Sequence, residues 1–332
     1  MSTKKTIYIF SSGDLRRKQN TVYFQSNKGK KYLPVETIEG VMIFGEVNIN
    51  KKVLDFFSQK NIMLHFFNYY DYYMGSFYPR EHYNSGCLLL RQCTCYNQQE
   101  ERNKLAYGFI DGAISNMTKN LKYYNSRGKD LQDNIKKINE LQQKLSDQND
   151  VNELMAIEGN AKHEYYKCFN KIIDNKDFTF EKRTKRPPKN YINCMISFLN
   201  SLVYTEVLSS IYKTHLDPRI GFLHSTNFRR FSLNLDVAEI FKPIIGDRLI
   251  FSLINKGIIK KSDFDERSGG IRYKEKSMKA IVEKFDKRLN ETIKLKSLNR
   301  KVSYRRLILL ELYKLEKYIL GEKNYTPFVM EW

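Results

Sequence analysis

The chain has 332 residues and carries 57 Lys+Arg against 37 Asp+Glu, a formal charge of +20. Five cysteines without a regular framework exclude a secreted disulfide scaffold, and the opening Met1–Ile7 lacks the apolar core of a signal peptide. No apolar run approaches membrane-spanning length, so the expected setting is cytoplasmic, and the expected partner of so basic a surface is a polyanion, nucleic acid first among them.

Short runs rich in β-branched and aromatic residues open the chain. Thr6–Ser11, Thr21–Ser26, Lys31–Val35 and Val41–Phe44 predict strands, separated by turns at Gly13-Asp14, Asn27–Gly29 and Gly45-Glu46. Lys51–Lys60, with Val53, Leu54 and Phe57 on one face, predicts a helix, and Met63–Phe67 and Tyr72–Tyr78 predict two more strands. From about Ser85 the apolar period becomes helical. Helices are expected over Leu88–Lys122, Leu131–Lys144, Asn152–Phe169, Pro188–Thr214, Leu235–Lys256, Lys274–Thr292 and Tyr304–Tyr318, with a break at Asn125–Lys129. The expected class is α+β: a small, sandwich-like N-terminal β domain with one short helix over residues 1–84, then a larger all-α domain over 85–332. Cys168 and Cys194 read as core residues; Cys87, Cys93 and Cys95 near His82 lack the paired spacing of a zinc site.

Polar residues that propensity does not explain lie in three places. Leu216–His224 interrupts two helices with a turn-forming Asp217-Pro218, a permissive Gly221 and a histidine. Asp236 and Glu239 follow at a spacing that puts both on one helical face, and Glu158 lies upstream among Leu154, Met155 and Ile157. Two carboxylates and an imidazole suit Mg²⁺ or Mn²⁺, which can polarise a phosphodiester. Each residue also has a plainer reading: Asp236 with Glu239 as a helix-capping box, Glu158 as a solvated helix residue, His224 as a satisfied loop histidine.

Three ordered motifs carry a resemblance. Glu158-Gly-Asn-Ala-Lys162 with Tyr165-Tyr166, Leu216-Asp-Pro-Arg-Ile-Gly-Phe-Leu-His224, and Ser232-Leu-Asn-Leu-Asp236-Val-Ala-Glu239-Ile-Phe-Lys-Pro243 with Asp247 resemble the CRISPR-associated integrase family, the larger of the two universal spacer-acquisition proteins, in a type I-like variant. The resemblance implies a metal held by Glu158, His224 and Glu239, with Asp236 close by and needed for activity. It implies a metal-dependent endonuclease and integrase that joins a 3′-hydroxyl of incoming DNA to the repeat array. It also implies a homodimer built on the β domain and a small ferredoxin-like adaptation protein as partner. Lys162 and Lys242 stand where arginine is more usual in the family, which keeps charge but loses the bidentate fork.

Double-stranded DNA contacts are expected from Lys162, Arg186, Arg229, Arg230 and Lys242, with Lys182, Arg183, Lys185 and Lys189 in the same basic run and Tyr165 offering a ring to a splayed base. Two other functions fit the composition: a non-catalytic basic DNA-binding scaffold, and a metal-independent tyrosine recombinase using His224 and Arg229.

Overall fold

Alternating apolar residues build the N-terminal unit of this computed structural model, which describes residues 4–69, 71–79, 83–185, 187–226, 231–267, 270–295 and 299–331. Its strands are β1 (Lys5–Ile9), β2 (Gly13–Lys18), β3 (Thr21–Ser26), β4 (Gly29–Leu33), β5 (Ile38–Ile43), β6 (Val47–Ile49), β7 (Met63–Phe67) and β8 (Tyr73–Phe77), with helix α1 (Lys51–Gln59) between β6 and β7. They form two four-stranded sheets, ordered β1-β5-β7-β8 and β4-β3-β2-β6. Leu15, Val22, Val41, Leu64 and, from α1, Val53 and Phe57 meet in one core, so both sheets and the helix share a single apolar interior.

Two of these strands escape the sequence pattern. Strand β2 reads Gly-Asp-Leu-Arg-Arg-Lys, where only Leu15 is apolar and fully buried. Gly13 starts this strand instead of making a turn, and a Cβ there would strike the Gln25 carbonyl and the Phe24 ring. Strand β6 has three residues, too few for an alternation to show.

The remaining chain, Ser85–Trp332, forms a second unit with its own core. Its helices are α2 (Gly86–Asn97), α3 (Gln99–Asn125), α4 (Gln132–Gln143), α5 (Val151–Lys167), α6 (Phe169–Ile172), α7 (Tyr191–Ile211), α8 (Leu233–Phe241), α9 (Arg248–Asn255), α10 (Glu275–Asn290) and α11 (Tyr304–Ile319). The unit is not purely helical: β9 (Phe264–Arg267) pairs with β10 (Gly270–Tyr273), and β11 (Thr292–Leu295) with β12 (Arg300–Ser303), each antiparallel. The helix expected over 88–122 is two, because Gln98 is extended (φ −82°, ψ 106°).

Helix α7 corrects the expectation that no segment could span a membrane by length. It has 21 residues with a mean hydropathy of 1.3 over its most apolar window, yet 72% of that window is buried inside the protein. Its partners are α8, α11 and the segment after α8, which makes it the central helix of a protein core.

That segment, Lys242–Asp247, is a π turn joining α8 to α9. A π turn holds one residue more than an α turn, so it shifts the face on which later side chains emerge. Without it, Gly246 would follow Glu239 and Lys242 around the helix; with it, Asp247 comes into electrostatic contact with both. Asn120 from α3 steadies the turn, its Nδ2 donating to the Pro243 carbonyl at 3.2 Å. One turn earlier on α3, Asn116 donates to Ile240 and Phe328 carbonyls and accepts from the Met330 amide, tying the C-terminal segment to α8.

Candidate active site

Four elements of the helical unit carry the site: α5, the loop ending at His224, α8 and the π turn. On α5, Glu158, Lys162, Tyr165 and Tyr166 recur at helical spacing and form one stripe. On α8, Asp236 and Glu239 lie one turn apart, and Lys242 follows by another three residues.

Asp236 and Glu239 do different jobs. Ser232 is the N-cap of α8 and no side chain caps the helix, so the capping-box reading of the two acids fails. Asp236 is fully buried and turns to the 221–224 loop. Its Oδ2 accepts from the amides of Phe222 (2.6 Å) and Leu223 (3.0 Å), and its Oδ1 from the amide of His224 (2.9 Å). Oδ1 also meets His224 Nδ1 at 2.8 Å. All four lone-pair directions of the carboxylate are thereby engaged. The neutral tautomer that fits has its proton on Nδ1, leaving Nε2 with a lone pair and no hydrogen bond among the described residues.

Gly221 permits this arrangement. A Cβ at that position would lie 2.7 Å from Asp236 Oδ2 and 2.7 Å from the Ser232 carbonyl carbon. Ser232 Oγ completes the loop by accepting from the Gly221 amide at 2.8 Å and donating to the Arg219 carbonyl at 2.8 Å.

Glu239 points the other way, into a pair of lysines. Lys242 Nζ lies 2.5 Å from Oε1 and also sits 4.5 Å from the centre of the Tyr204 ring. Lys162 Nζ lies 2.8 Å from Oε2 and pairs with Glu158 Oε1 as well, so one ammonium bridges carboxylates from two helices. Burial opposes ionisation of Glu239, but Lys162, Lys242 and His224 outweigh it and hold the carboxyl well below its usual range. Burial likewise disfavours the Lys162 ammonium, and Glu239 and Glu158 more than compensate, keeping it charged well above the usual lysine range. Despite the close ammonium, Glu239 Oε2 is buried with no hydrogen bond of acceptable geometry.

Asp247 is the site's third buried acid, after Asp236 and Glu239. Burial pushes its carboxyl up to about 7 against the pull of Lys242, a hydrogen bond from Tyr165 and the charge of Lys162. Tyr165 is 1% exposed, and its hydroxyl also accepts from Asn120 Nδ2 at 2.7 Å. Its ring packs edge-on to Phe169 at 5.5 Å.

Several expected site residues are therefore placed. Glu158 and Glu239 come together on one cation, and His224 is near enough to influence Glu239. Among the described residues, however, no three His, Cys, Asp or Glu side chains stand close enough to make a closed metal cage. The Lys162 ammonium lies where the two glutamates converge. Tyr165 offers no free ring face to DNA, contrary to expectation, because the core covers it. Lys162 and Lys242 are paired with carboxylates instead of lying open to phosphate. Arg186, Arg229 and Arg230 lie outside the described residues. In the same basic run, Arg183 is forked onto α7, its Nη1 donating to Asn193 Oδ1 and its Nη2 to Ser197 Oγ, each at 3.0 Å. Asn120 and the role of Asp247 escaped sequence reasoning. Two amides one turn apart, Asn116 and Asn120, on the buried stripe of α3 are the signal that was there to find.

The donor set suits a hard divalent cation: two carboxylates from different helices that converge on one ammonium, and an imidazole oriented through its other nitrogen by a buried acid. A β-rich unit followed by a helical unit with this centre defines a basic, two-unit protein with a buried cluster of acids and lysines between α5 and α8. The family model described as CRISPR associated protein Cas1 matches residues 7–287, and the chain belongs to that family. It is 54% identical over 329 residues to a protein of Thermodesulfovibrio yellowstonii named CRISPR-associated endonuclease Cas1 2, covering 99% of this chain and 100% of the relative. A solved Cas1 protein from Thermotoga maritima superposes with a TM-score of 0.89 at 45% identity, covering 98% of this chain and 100% of that one. A casposase bound to integration product shares the fold at TM-score 0.88 and 21% identity, covering 98% of this chain and 93% of that one.

Proposed function

We propose that this chain is a metal-dependent DNA endonuclease and integrase of CRISPR spacer acquisition. The observation that carries the reading is the meeting of Glu158 and Glu239 at a single cation beside an oriented His224. Relatives named CRISPR-associated endonuclease Cas1 support the nuclease class, with 47% identity over the whole chain in Fusobacterium nucleatum.

Glu158, Glu239 and His224 Nε2 would hold Mg²⁺ or Mn²⁺. When bound, that ion supplies Lewis-acid charge at the phosphodiester and lowers the cost of forming the attacking oxyanion. Asp236 does not ligate it: with its lone pairs engaged, it fixes the loop backbone and the His224 tautomer. Lys242, pinned between Glu239 and the Tyr204 ring, holds the second carboxylate oxygen in place. In the joining reaction a DNA 3′-hydroxyl attacks a repeat phosphodiester and displaces the neighbouring 3′-oxygen; with water as nucleophile the same site hydrolyses DNA. Double-stranded DNA, a second copy of the chain and a small ferredoxin-like adaptation protein are the partners in this reading. The +20 charge favours the polyanion.

The tyrosine-recombinase alternative gains nothing from Tyr165, whose hydroxyl is buried and bound by Asn120 and Asp247. The decisive assay combines the chain, its small partner, a 3′-hydroxyl-ended duplex and a plasmid carrying a repeat array. Strand joining that needs Mg²⁺ or Mn²⁺ and disappears in Glu158→Ala, His224→Ala and Glu239→Ala is the expected result. Full activity in chelator, or a covalent protein–DNA adduct, contradicts it.

A further inference from the structure

Lys162 differs from Lys242 in how it is held. Lys242 is fixed from two sides, by Glu239 Oε1 at 2.5 Å and by the Tyr204 ring at 4.5 Å. Lys162 Nζ, with Tyr166 near it, pairs with two carboxylates: Glu158 Oε1 on its own helix, and Glu239 Oε2 at 2.8 Å across the helix interface. The contact to Glu239 Oε2 is an ion pair between helices, with no aromatic ring holding the ammonium as Tyr204 holds Lys242. A flexible four-carbon stem therefore carries a point charge into the gap between two acids from different helices.

We infer that Lys162 is a built-in competitor of the divalent cation: its ammonium and the metal use the same space between Glu158 and Glu239, and one displaces the other. The inference rests on the assignment of these two glutamates as metal ligands. Two cations cannot share that space, because their repulsion at contact distance in a buried setting exceeds the attraction either gains from a second carboxylate already neutralised. Without the metal, Lys162 cancels the charge that would otherwise push α5 and α8 apart. The side chain has somewhere to go: it is 22% exposed, against 10% for Lys242, so its ammonium can swing towards solvent or an arriving phosphate while Lys242 stays in place. Metal affinity is thus set below what the glutamates alone would give, and the helix interface remains intact when no metal is bound.

The test is Mn²⁺ binding by the full chain, read by titration calorimetry and by the electron paramagnetic resonance signal of free Mn²⁺. Lys162→Met keeps the stem and removes the charge. It is expected to bind Mn²⁺ at least about tenfold more tightly than the unaltered chain, and to melt at a lower temperature in chelator. Lys162→Arg, which keeps a cation, is expected to bind no more tightly than the unaltered chain. Should Lys162→Met fold poorly, Lys162→Gln gives the same comparison. Equal or weaker Mn²⁺ binding by the folded neutral variants overturns the competition while leaving the metal site standing. Absence of Mn²⁺ binding by every form overturns both the competition and the metal site.

Discussion

His224 Nδ1 lies 2.8 Å from Asp236 Oδ1, and the same oxygen accepts the His224 amide, so one carboxylate fixes both the backbone and the ring of a single residue. Asp236→Asn keeps the shape but turns an amide N–H₂ against at least one backbone N–H. The expected cost is about 1–3 kcal/mol of stability. A drop of about 10–100-fold in Mn²⁺ affinity and strand joining should accompany it, because the orienting partner of the imidazole is lost. Thermal melting and a joining assay on one preparation check both numbers. Stability lost with metal affinity intact would count against the orienting role.

Gly221 tolerates no side chain. An added methyl would meet Asp236 Oδ2 and the Ser232 carbonyl carbon at 2.7 Å each, and backbone cannot yield as a flexible side chain does. Gly221→Ala is expected to destabilise the helical unit by about 1–3 kcal/mol and to impair joining. Denaturant unfolding of the pure variant is the measurement.

The two glutamates differ in what their neutralisation leaves behind. Glu239→Gln leaves the buried Lys242 ammonium without its carboxylate and Lys162 with Glu158 alone, because the Glu239 side chain is 3% exposed and pairs with both lysines. A loss of about 3–5 kcal/mol is expected. Glu158→Gln affects one lysine, which keeps Glu239, and should be milder. Melting temperatures in chelator that rank the variants the other way would contradict this charge arrangement.

Asp247 and His65 give pH dependences of opposite sense. Asp247 titrates in the folded protein at about 7, above its ordinary 3.8, so its contribution to stability is full below 3.8 and is lost as pH rises through 7. Asp247→Asn cannot ionise and should gain on the unaltered chain between pH 4 and pH 8, then hold a constant advantage. Melting in chelator across that range measures it.

His65, buried on β7 with Nδ1 2.6 Å from Ser76 Oγ, is pushed down to about 3 by burial. Its contribution is full above its ordinary 6.5 and is lost as pH falls towards 3. His65→Gln should flatten the acid limb of stability over that window, as followed by circular dichroism. An unchanged acid limb would assign the acid sensitivity to other groups.

What could be read from the sequence, and what could not, divides along physical lines. Strongly periodic segments such as α5, α10 and α11 emerge within a few residues of where their apolar spacing puts them. Helix α8 also begins within two residues of its expected start, but the π turn that interrupts the helix expected over 235–256 has no apolar signature, and strand β2, with a single apolar residue, is missed. Glu158, His224 and Glu239 were legible as a constellation because motifs preserve order along the chain. That Asp236 faces a loop amide and Glu239 faces two lysines was not legible, since i,i+3 spacing gives a shared face but no account of what each acid meets. Tyr165 shows the same limit, because an aromatic on an amphipathic helix reads alike whether it covers a base or Phe169.

The π turn at Lys242–Asp247 behaves like a fixed one-residue insertion between two otherwise ordinary helices. It separates the rotational phase of α9 from that of α8, so the Glu239 face and the packing face of α9 can be tuned independently. Were all six residues of Lys242–Asp247 kept but wound with α geometry, the backbone would become a continuous α-helix. Everything downstream would then turn by about 100°. The cost of that tidier helix would be Asp247 leaving the site and the apolar residues of α9 leaving their core, so a local irregularity is what keeps the two halves of the unit in register.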